Sequence, residues 1–271
     1  MQARISNTEE GLARALVALA RAAAEEVMVV YATNFTVARK QDASPVTLAD
    51  RRAEAVILEG LAKIEPGVAV IAEEAHSQGQ AGTAGDTFFL VDPLDGTREF
   101  IGRNGEFTVN IALVDSGRPV IGVIVAPAQN RTFFAWRRGR AFEAGATDGE
   151  RTIGARAVPA ERRVAIASRS HRDPATDAYL AALGVEDVRS AGSSLKFCLL
   201  AAGEADVYPR FGPTCEWDIA AGHAILSAAG GDLCGLDGQP LIYGNSEAGF
   251  RNPGFIAWGA GPRPDLPERS S

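Results

Sequence analysis

The stretch Thr87-Phe-Phe-Leu-Val-Asp-Pro-Leu-Asp-Gly-Thr97 indicates how the first half of this chain folds. Residues 87–91 form a short apolar run, and the turn-forming residues on either side of it predict a strand that ends at Asp92. Asp95 then lies in a turn, and Gly96 and Thr97 open a helix. Two carboxylates therefore follow directly on a buried strand, which is where α/β folds bind ligands.

The elements around this stretch predict two regions of different architecture. Helices over 8–32 and 48–63 precede strands at 68–71, 87–91, 107–114, 119–125 and 132–136, which is an α+β pattern. After residue 160, strands at 164–167, 185–189 and 205–208 alternate with helices at 176–183, 194–202 and 218–229, which is an α/β pattern. Residues 143–154 contain few large apolar side chains. We therefore expect an N-terminal region over 1–150, a C-terminal region over 155–260 and a flexible tail over 261–271.

Composition excludes several classes of protein. The chain has 271 residues, 46% of them hydrophobic, and a formal net charge of −7, so disorder and binding to a nucleic acid polymer are both disfavoured. Its three cysteines, Cys198, Cys215 and Cys234, show no C-x-x-C spacing, which argues against a disulfide framework or a zinc site. Charged residues interrupt the apolar stretch over 8–30, so we expect neither a signal peptide nor an integral membrane segment, and a cytoplasmic location.

Acidic residues recur where predicted elements begin or end. Glu73-Glu74 follow the strand 68–71, Asp92 and Asp95 follow the strand 87–91, and Asp218 opens a helix. Several carboxylates at one place repel unless hard cations lie among them, and Mg²⁺ prefers such oxygen ligands. Each residue also has a structural interpretation: turns for Asp92 and Asp95, helix caps for Asp50 and Asp218, and a solvated pair for Glu73-Glu74.

Taken together, these motifs resemble a known family. Four of them are similar to the lithium-sensitive, Mg²⁺-dependent phosphatases of the inositol monophosphatase superfamily: Pro45-Val-Thr-Leu-Ala-Asp50, Glu73-Glu74, Asp92-Pro-Leu-Asp-Gly-Thr97 and Trp217-Asp-Ile-Ala-Ala-Gly222. Five more resemble bacterial 3'(2'),5'-bisphosphate nucleotidases of the CysQ type: residues 103–113, 168–171, 192–198, 208–214 and 252–255. The likeness extends from about residue 10 to residue 258.

The resemblance implies a fold and a reaction. The fold is a layered αβαβα sandwich of the sugar-phosphatase type. The reaction is hydrolysis of the 3'-phosphate of adenosine 3',5'-bisphosphate, or of its 5'-phosphosulfate analogue, to release phosphate by a metal-activated water in support of sulfate assimilation. Two alternatives stay open: an inositol, sugar or dinucleotide phosphatase of the same superfamily, and a catalytically silent nucleotide-binding regulator. The expected partner is a small nucleotide bisphosphate, the expected assembly a monomer or homodimer, and some relatives associate peripherally with the inner membrane.

The resemblance also assigns roles in metal binding and catalysis. Glu73, Asp92 and the carbonyl of Leu94 would hold one Mg²⁺. Asp92, Asp95 and Asp218 would hold a second, and Glu73 would reach a third through water. Asp50 and Thr97 would orient the attacking water, with Glu73 and Glu74 also in the catalytic set. The implied substrate-binding set is Glu73, Leu94, Asp95, Gly96, Thr97, Gly192, Ser193, Ser194, Lys196, Arg210 and Asp218.

Substrate discrimination is expected from the second half of the chain. A guanidinium at Arg210 suits a second phosphate. The amides of Gly192-Ser193-Ser194 open a predicted helix and could accept an anion, with Lys196 one turn further on. Ser193 could instead be a helix cap and Lys196 a solvated side chain, while Phe211 could either stack on a base or pack in the core.

Overall fold

Two long helices open the fold in the computed structural model, which describes residues 8–39, 45–80, 82–145, 149–170 and 172–262. Helix α1 spans Glu9–Tyr31, and Thr8 caps it by accepting the N–H of Gly11 at 3.0 Å. Helix α2 spans Leu48–Ile64. A two-stranded sheet of β1 (Val37–Arg39) and β2 (Pro45–Thr47) connects the two helices. The predicted flexible tail lies outside the described residues from 263 onward.

A seven-stranded sheet follows in the order β3 to β9. Its strands are Ala69–Ala72, Thr87–Asp95, Thr108–Asp115, Arg118–Ala126, Arg131–Ala135, Ala141–Ala144 and Glu150–Thr152. The β3–β4 pair is parallel, and each later pair is antiparallel. Short helices α3 (Glu73–Ser77) and α4 (Thr97–Ile101) follow β3 and β4, and a 3₁₀ turn spans Pro127–Gln129. The sheet thus ends at Thr152, two residues beyond the predicted limit of the N-terminal region.

Strand β4 is longer than its sequence predicts. The predicted strand covers residues 87–91, whereas β4 continues through Asp92 and Pro93 to Asp95. Its pairing with β5 shifts register between Asp92 and Asp95. Because proline has no N–H for a sheet ladder, this irregularity lets the strand continue past Pro93.

The second half builds a five-stranded sheet in the order β11-β10-β12-β16-β14. Its strands in chain order are β10 (Val164–Ser168), β11 (Asp187–Ala191), β12 (Val207–Arg210), β14 (Asp232–Gly235) and β16 (Phe255–Trp258). Three helices accompany it: α5 (Pro174–Ala182), α6 (Leu195–Ala201) and α7 (Glu216–Ala228). Strands β13 (Thr214–Cys215) and β15 (Arg251–Asn252) form a separate small sheet.

The sheets and helices stack in five layers. Phe89 and Val91 of β4 pack with α1 and α2, whereas Phe88 and Leu90 pack with α6 and α7. This alternation follows from the two-residue period of a strand. The opposite face of the five-stranded sheet packs on α5, for example through Tyr179. The order α1/α2, sheet, α6/α7, sheet, α5 confirms the predicted αβαβα sandwich.

No helix within the described ranges is long and apolar enough to cross a membrane.

Candidate active site

A cleft of about 230 Å³ lies where β4, α6, α7 and the end of β12 meet. It brings together most of the predicted site residues: Glu73, Asp92, Leu94, Asp95, Gly96, Thr97, Ser193, Ser194, Lys196, Arg210 and Asp218. Asp50, Glu74 and Gly192 are described by the structure but lie outside the lining of this cleft. Residues from both halves of the chain therefore share one cavity.

The carboxylates in the cleft are close enough to interact strongly. Burial, followed by the charges of Glu73, Asp95 and Asp218, holds the pKa of Asp92 well above its usual range. Burial and the charges of Asp95 and Glu73 do the same for the pKa of Asp218. Burial also raises the pKa of Asp95, although Lys196 and Ser194 oppose this shift. Raised pKa values show that the negative charge here is incompletely compensated by the protein alone.

Backbone hydrogen bonds fix the orientation of the three aspartates. Asp92 Oδ1 accepts the N–H of Leu94 at 3.0 Å, and Asp218 Oδ2 accepts the N–H of Cys215 at 2.8 Å. Asp95 Oδ2 accepts the N–H of Ser194 at 2.5 Å. Asp218 is thus a helix-capping residue as well as a residue of the cleft, so the two interpretations of this residue are compatible.

The donor chemistry of the cleft fits Mg²⁺. Glu73, Asp92, Asp95, Asp218 and the Leu94 carbonyl all offer oxygen, which is the donor that this cation prefers. Within the described part of the chain, however, no three acidic, histidine or cysteine side chains already stand in a metal-binding arrangement. Besides burial, the charge of Glu73 contributes to the raised pKa of Asp92, so these two carboxyl groups lie near each other. The residues match the cation in chemistry and location, and the coordination geometry itself is not formed.

Asp50 and Glu74 are buried beside the cleft. Asp50 Oδ2 accepts both the N–H and the Oγ1–H of Thr47 at 2.7 Å, so it completes the capping box at the start of α2, where Thr47 is the N-cap residue. The backbone N–H of Glu74 donates to Glu54 Oε2 at 2.9 Å. Helix α4, which Thr97 begins, packs against β2 next to Asp50. Thr97 Oγ1 donates to the Leu94 carbonyl at 3.3 Å.

Two cationic side chains also line the cleft. Lys196 is only 4% exposed, its Nζ donates to the Ser193 carbonyl, and it lies 5.3 Å from the centre of the Tyr208 ring. Burial lowers the pKa of Lys196 to about 8, although Asp95 opposes this shift. Arg210 donates to the carbonyls of Gly212 and Pro213 at 3.3 Å. The solvated alternative for Lys196 is therefore wrong.

The amides of Gly192 and Ser194, which were predicted to accept an anion, already have partners. The N–H of Gly192 donates to Glu106 Oε2 at 2.8 Å, and that of Ser194 donates to Asp95. The N–H of Leu195 donates to Ser193 Oγ at 3.3 Å. Helix α6 begins after Ser194, so Ser193 is not its cap residue.

The comparisons with known proteins agree with this architecture. The inositol monophosphatase family matches residues 8–258. The chain belongs to that family. It is 47% identical to the 3'(2'),5'-bisphosphate nucleotidase CysQ of Salmonella typhimurium and 46% identical to that of Escherichia coli K12, each over 88% of this chain and 95% of the relative.

Solved structures of inositol monophosphatase family members have the same fold. The crystal structure of CysQ from Bacteroides thetaiotaomicron superposes with a TM-score of 0.79 at 36% identity and covers 94% of this chain and 99% of that one. An inositol monophosphatase from Zymomonas mobilis superposes with a TM-score of 0.76 at 27% identity, with 94% of each chain covered.

A set of side-chain contacts between the two halves of the chain was not predicted from the sequence. Glu106 accepts two hydrogen bonds from Arg169, each at 2.8 Å, and Ser170 Oγ donates to Glu99 Oε1 at 2.5 Å. These contacts connect the segment after β4 with the segment after β10. All four residues lie in or beside motifs that carry the family resemblance. Those motifs drew attention to the residues but did not indicate which contacts they make. His171, in the same motif, lies outside the described residues.

Phe211 packs in the core of this family member. Its ring centre lies 5.5 Å from that of Tyr179, within the cluster beneath α5, and it does not line the cleft. The structure therefore supports the core interpretation of Phe211.

Proposed function

We propose that this chain is a Mg²⁺-dependent 3'(2'),5'-bisphosphate nucleotidase that converts adenosine 3',5'-bisphosphate to AMP and phosphate. The observation that carries the proposal is one cleft lined by a carboxylate cluster together with Lys196 and Arg210. A nucleoside bisphosphate needs both sets of charges, because its reacting phosphate requires cations held by the carboxylates and its second phosphate requires fixed positive charge. The two CysQ relatives are named for this activity.

The acidic side of the cleft would hold two metal ions. In this proposal Glu73, Asp92 and the Leu94 carbonyl hold one, and Asp92, Asp95 and Asp218 hold the other. When bound, Mg²⁺ neutralises charge on the transferred phosphoryl group and lowers the pKa of water. Two ions are the number that the five donors suggest.

Residues of the first half would orient the reaction. Thr97, at the start of α4, offers a hydroxyl that can accept or donate a hydrogen bond to the attacking water. Gly96 has a φ of +89°, and a side-chain carbon there would lie 3.1 Å from the Glu106 carbonyl, so glycine keeps this corner of the cleft open. Asp50 would act on Thr97 from the first turn of α2.

Residues of the second half would recognise the remainder of the nucleotide. Lys196 and Arg210 provide the positive charge for the 5'-phosphate. Both side chains donate hydrogen bonds to backbone carbonyls in this structure. An anionic phosphate is a better acceptor than a neutral carbonyl. We therefore assign this pair to the phosphate that is not cleaved.

Phosphate release from a panel of substrates tests the proposal. The purified protein in Mg²⁺ should hydrolyse adenosine 3',5'-bisphosphate with a kcat/KM about tenfold or more above that for inositol 1-phosphate. Chelation should abolish the activity, and Li⁺ should inhibit it, as the family resemblance implies. A preference of similar size for inositol 1-phosphate would refute the substrate assignment and leave the phosphatase assignment intact.

A further inference from the structure

Ser194 joins the two segments that carry Asp95 and Asp218. The residue is 1% exposed and lies immediately before α6. Its backbone N–H and its Oγ both reach the same oxygen, Asp95 Oδ2, at 2.5 and 2.6 Å. The same Oγ lies 2.7 Å from the main-chain carbonyl oxygen of Asp218. One hydroxyl therefore contacts the end of β4 and the first turn of α7.

A hydrogen bond from Asn110 determines where the hydroxyl proton of Ser194 points. Asn110 lies in β5, is 1% exposed, and donates from Nδ2 to Ser194 Oγ at 2.7 Å. Because the hydroxyl oxygen accepts this bond, its single proton is directed to one of its two acceptors. Asn110 Oδ1 is buried without a hydrogen-bond partner among the described residues, so the bond to Ser194 is what holds this amide. The chain of contacts runs from Asn110 through Ser194 to Asp95 and Asp218.

We infer that Ser194 is a positioning residue that sets the orientation of Asp95 and its spacing from Asp218 for the second metal ion. This inference rests on the proposed function, in which both aspartates are ligands of that ion. It gives Ser194 a different role from the substrate contact that the sequence suggested. The side chain acts through the carboxylate, because its hydroxyl is already engaged with Asp95, Asp218 and Asn110.

Mg²⁺ binding to the substrate-free protein tests the inference without an activity measurement. Isothermal titration of Ser194→Ala should show Mg²⁺ affinity weakened by about tenfold or more, the usual loss when a residue that orients a metal ligand is removed. Ser194→Cys replaces the hydroxyl by a slightly larger thiol and should lose a similar amount, because a thiol is a weak donor. Thr132→Val, which removes a buried hydroxyl in β7 away from the cleft, is the matched control and should bind Mg²⁺ normally.

A double-mutant cycle separates positioning from a general structural effect. Asn110→Ala should weaken Mg²⁺ binding in the wild-type background and have little further effect in Ser194→Ala, since Asn110 acts through the missing hydroxyl. If substitution at 194 prevents folding, Asn110→Ala alone still tests the positioning role, because it removes the hydrogen bond from Asn110 to Ser194.

The outcomes distinguish this inference from the proposed function. Wild-type Mg²⁺ affinity in both variants at 194, or a raised KM for adenosine 3',5'-bisphosphate with unchanged Mg²⁺ affinity, would overturn the positioning role. Additive effects in the cycle would overturn the pathway through Asn110. A wild-type protein that binds no Mg²⁺ would instead refute the proposed function itself.

Discussion

Replacement of Lys196 by methionine separates recognition of the second phosphate from catalysis. Lys196 is buried against the Tyr208 ring and lies in the cleft with Arg210. A hydrogen bond from a charged donor contributes about 1.5–3 kcal/mol. Its loss should lower kcat/KM for adenosine 3',5'-bisphosphate by about 10- to 150-fold. Adenosine 3'-monophosphate lacks the 5'-phosphate, so its kcat/KM should change little.

Phosphate release from both nucleotides is the assay, and Lys63→Met is the matched control. Lys63 lies at the end of α2 and pairs with Glu59 at the surface, so its replacement should leave both substrates unaffected. An equal fall for both nucleotides in Lys196→Met would refute the assignment of Lys196 to the second phosphate.

The pKa of Lys196 gives the same prediction a pH dependence. Burial lowers it from 10.5 to about 8 in the folded protein. Above pH 8 the ammonium loses its proton, so the wild-type preference for the bisphosphate over the monophosphate should decline, whereas that of Lys196→Met should not. Between pH 8 and 10.5 the unfolded chain binds the proton more tightly than the folded protein. The contribution of this group to the free energy of unfolding therefore increases as pH rises through that interval.

Two further substitutions test the metal site and the fold. Asp95→Asn should abolish turnover and weaken Mg²⁺ binding while circular dichroism and the melting profile stay close to wild type; retained turnover would contradict the second metal site. Asp206→Ala should lower the free energy of unfolding by about 3 kcal/mol, because Asp206 is fully buried and its loss leaves Arg156 and the N–H of Val164 without their acceptor. Urea unfolding measures this effect, and a change below about 1 kcal/mol would show that the pair contributes no more than a surface ion pair.

Local sequence signals predicted most of the helices and the strands with strong apolar runs. Helices α1 and α2 have threonine caps and regularly spaced apolar side chains, and both were predicted to within two residues. Strands β14 and β16 were missed. Each has four residues, and they are defined by pairing with each other and, for β16, with β12. Such pairing depends on contacts distant in sequence, which local patterns do not contain.

In the site as well, local sequence signals predicted some features, and contacts between distant residues determine the others. The acidic residues were identifiable because each lies at the end of a predicted element, and the family resemblance grouped them. The Glu106–Arg169 contact joins residues 63 positions apart, and its geometry depends on how the two halves pack. The burial of Lys196 also arises from tertiary packing, since its own short helix has no pattern that separates a buried lysine from a solvated one.

The register shift in β4 determines which face of the sheet Asp92 and Asp95 project from. In a regular strand, side chains three positions apart project from opposite faces, so Asp92 and Asp95 would be separated by the sheet. Both line the same cleft, and the irregularity at Pro93 lies between them. Without this irregularity, the three-residue spacing would place one of the two carboxylates on the far face of the sheet. The extra residue in β4 therefore lets two carboxylates at an odd spacing serve one face of the sheet, which a regular strand allows only at an even spacing.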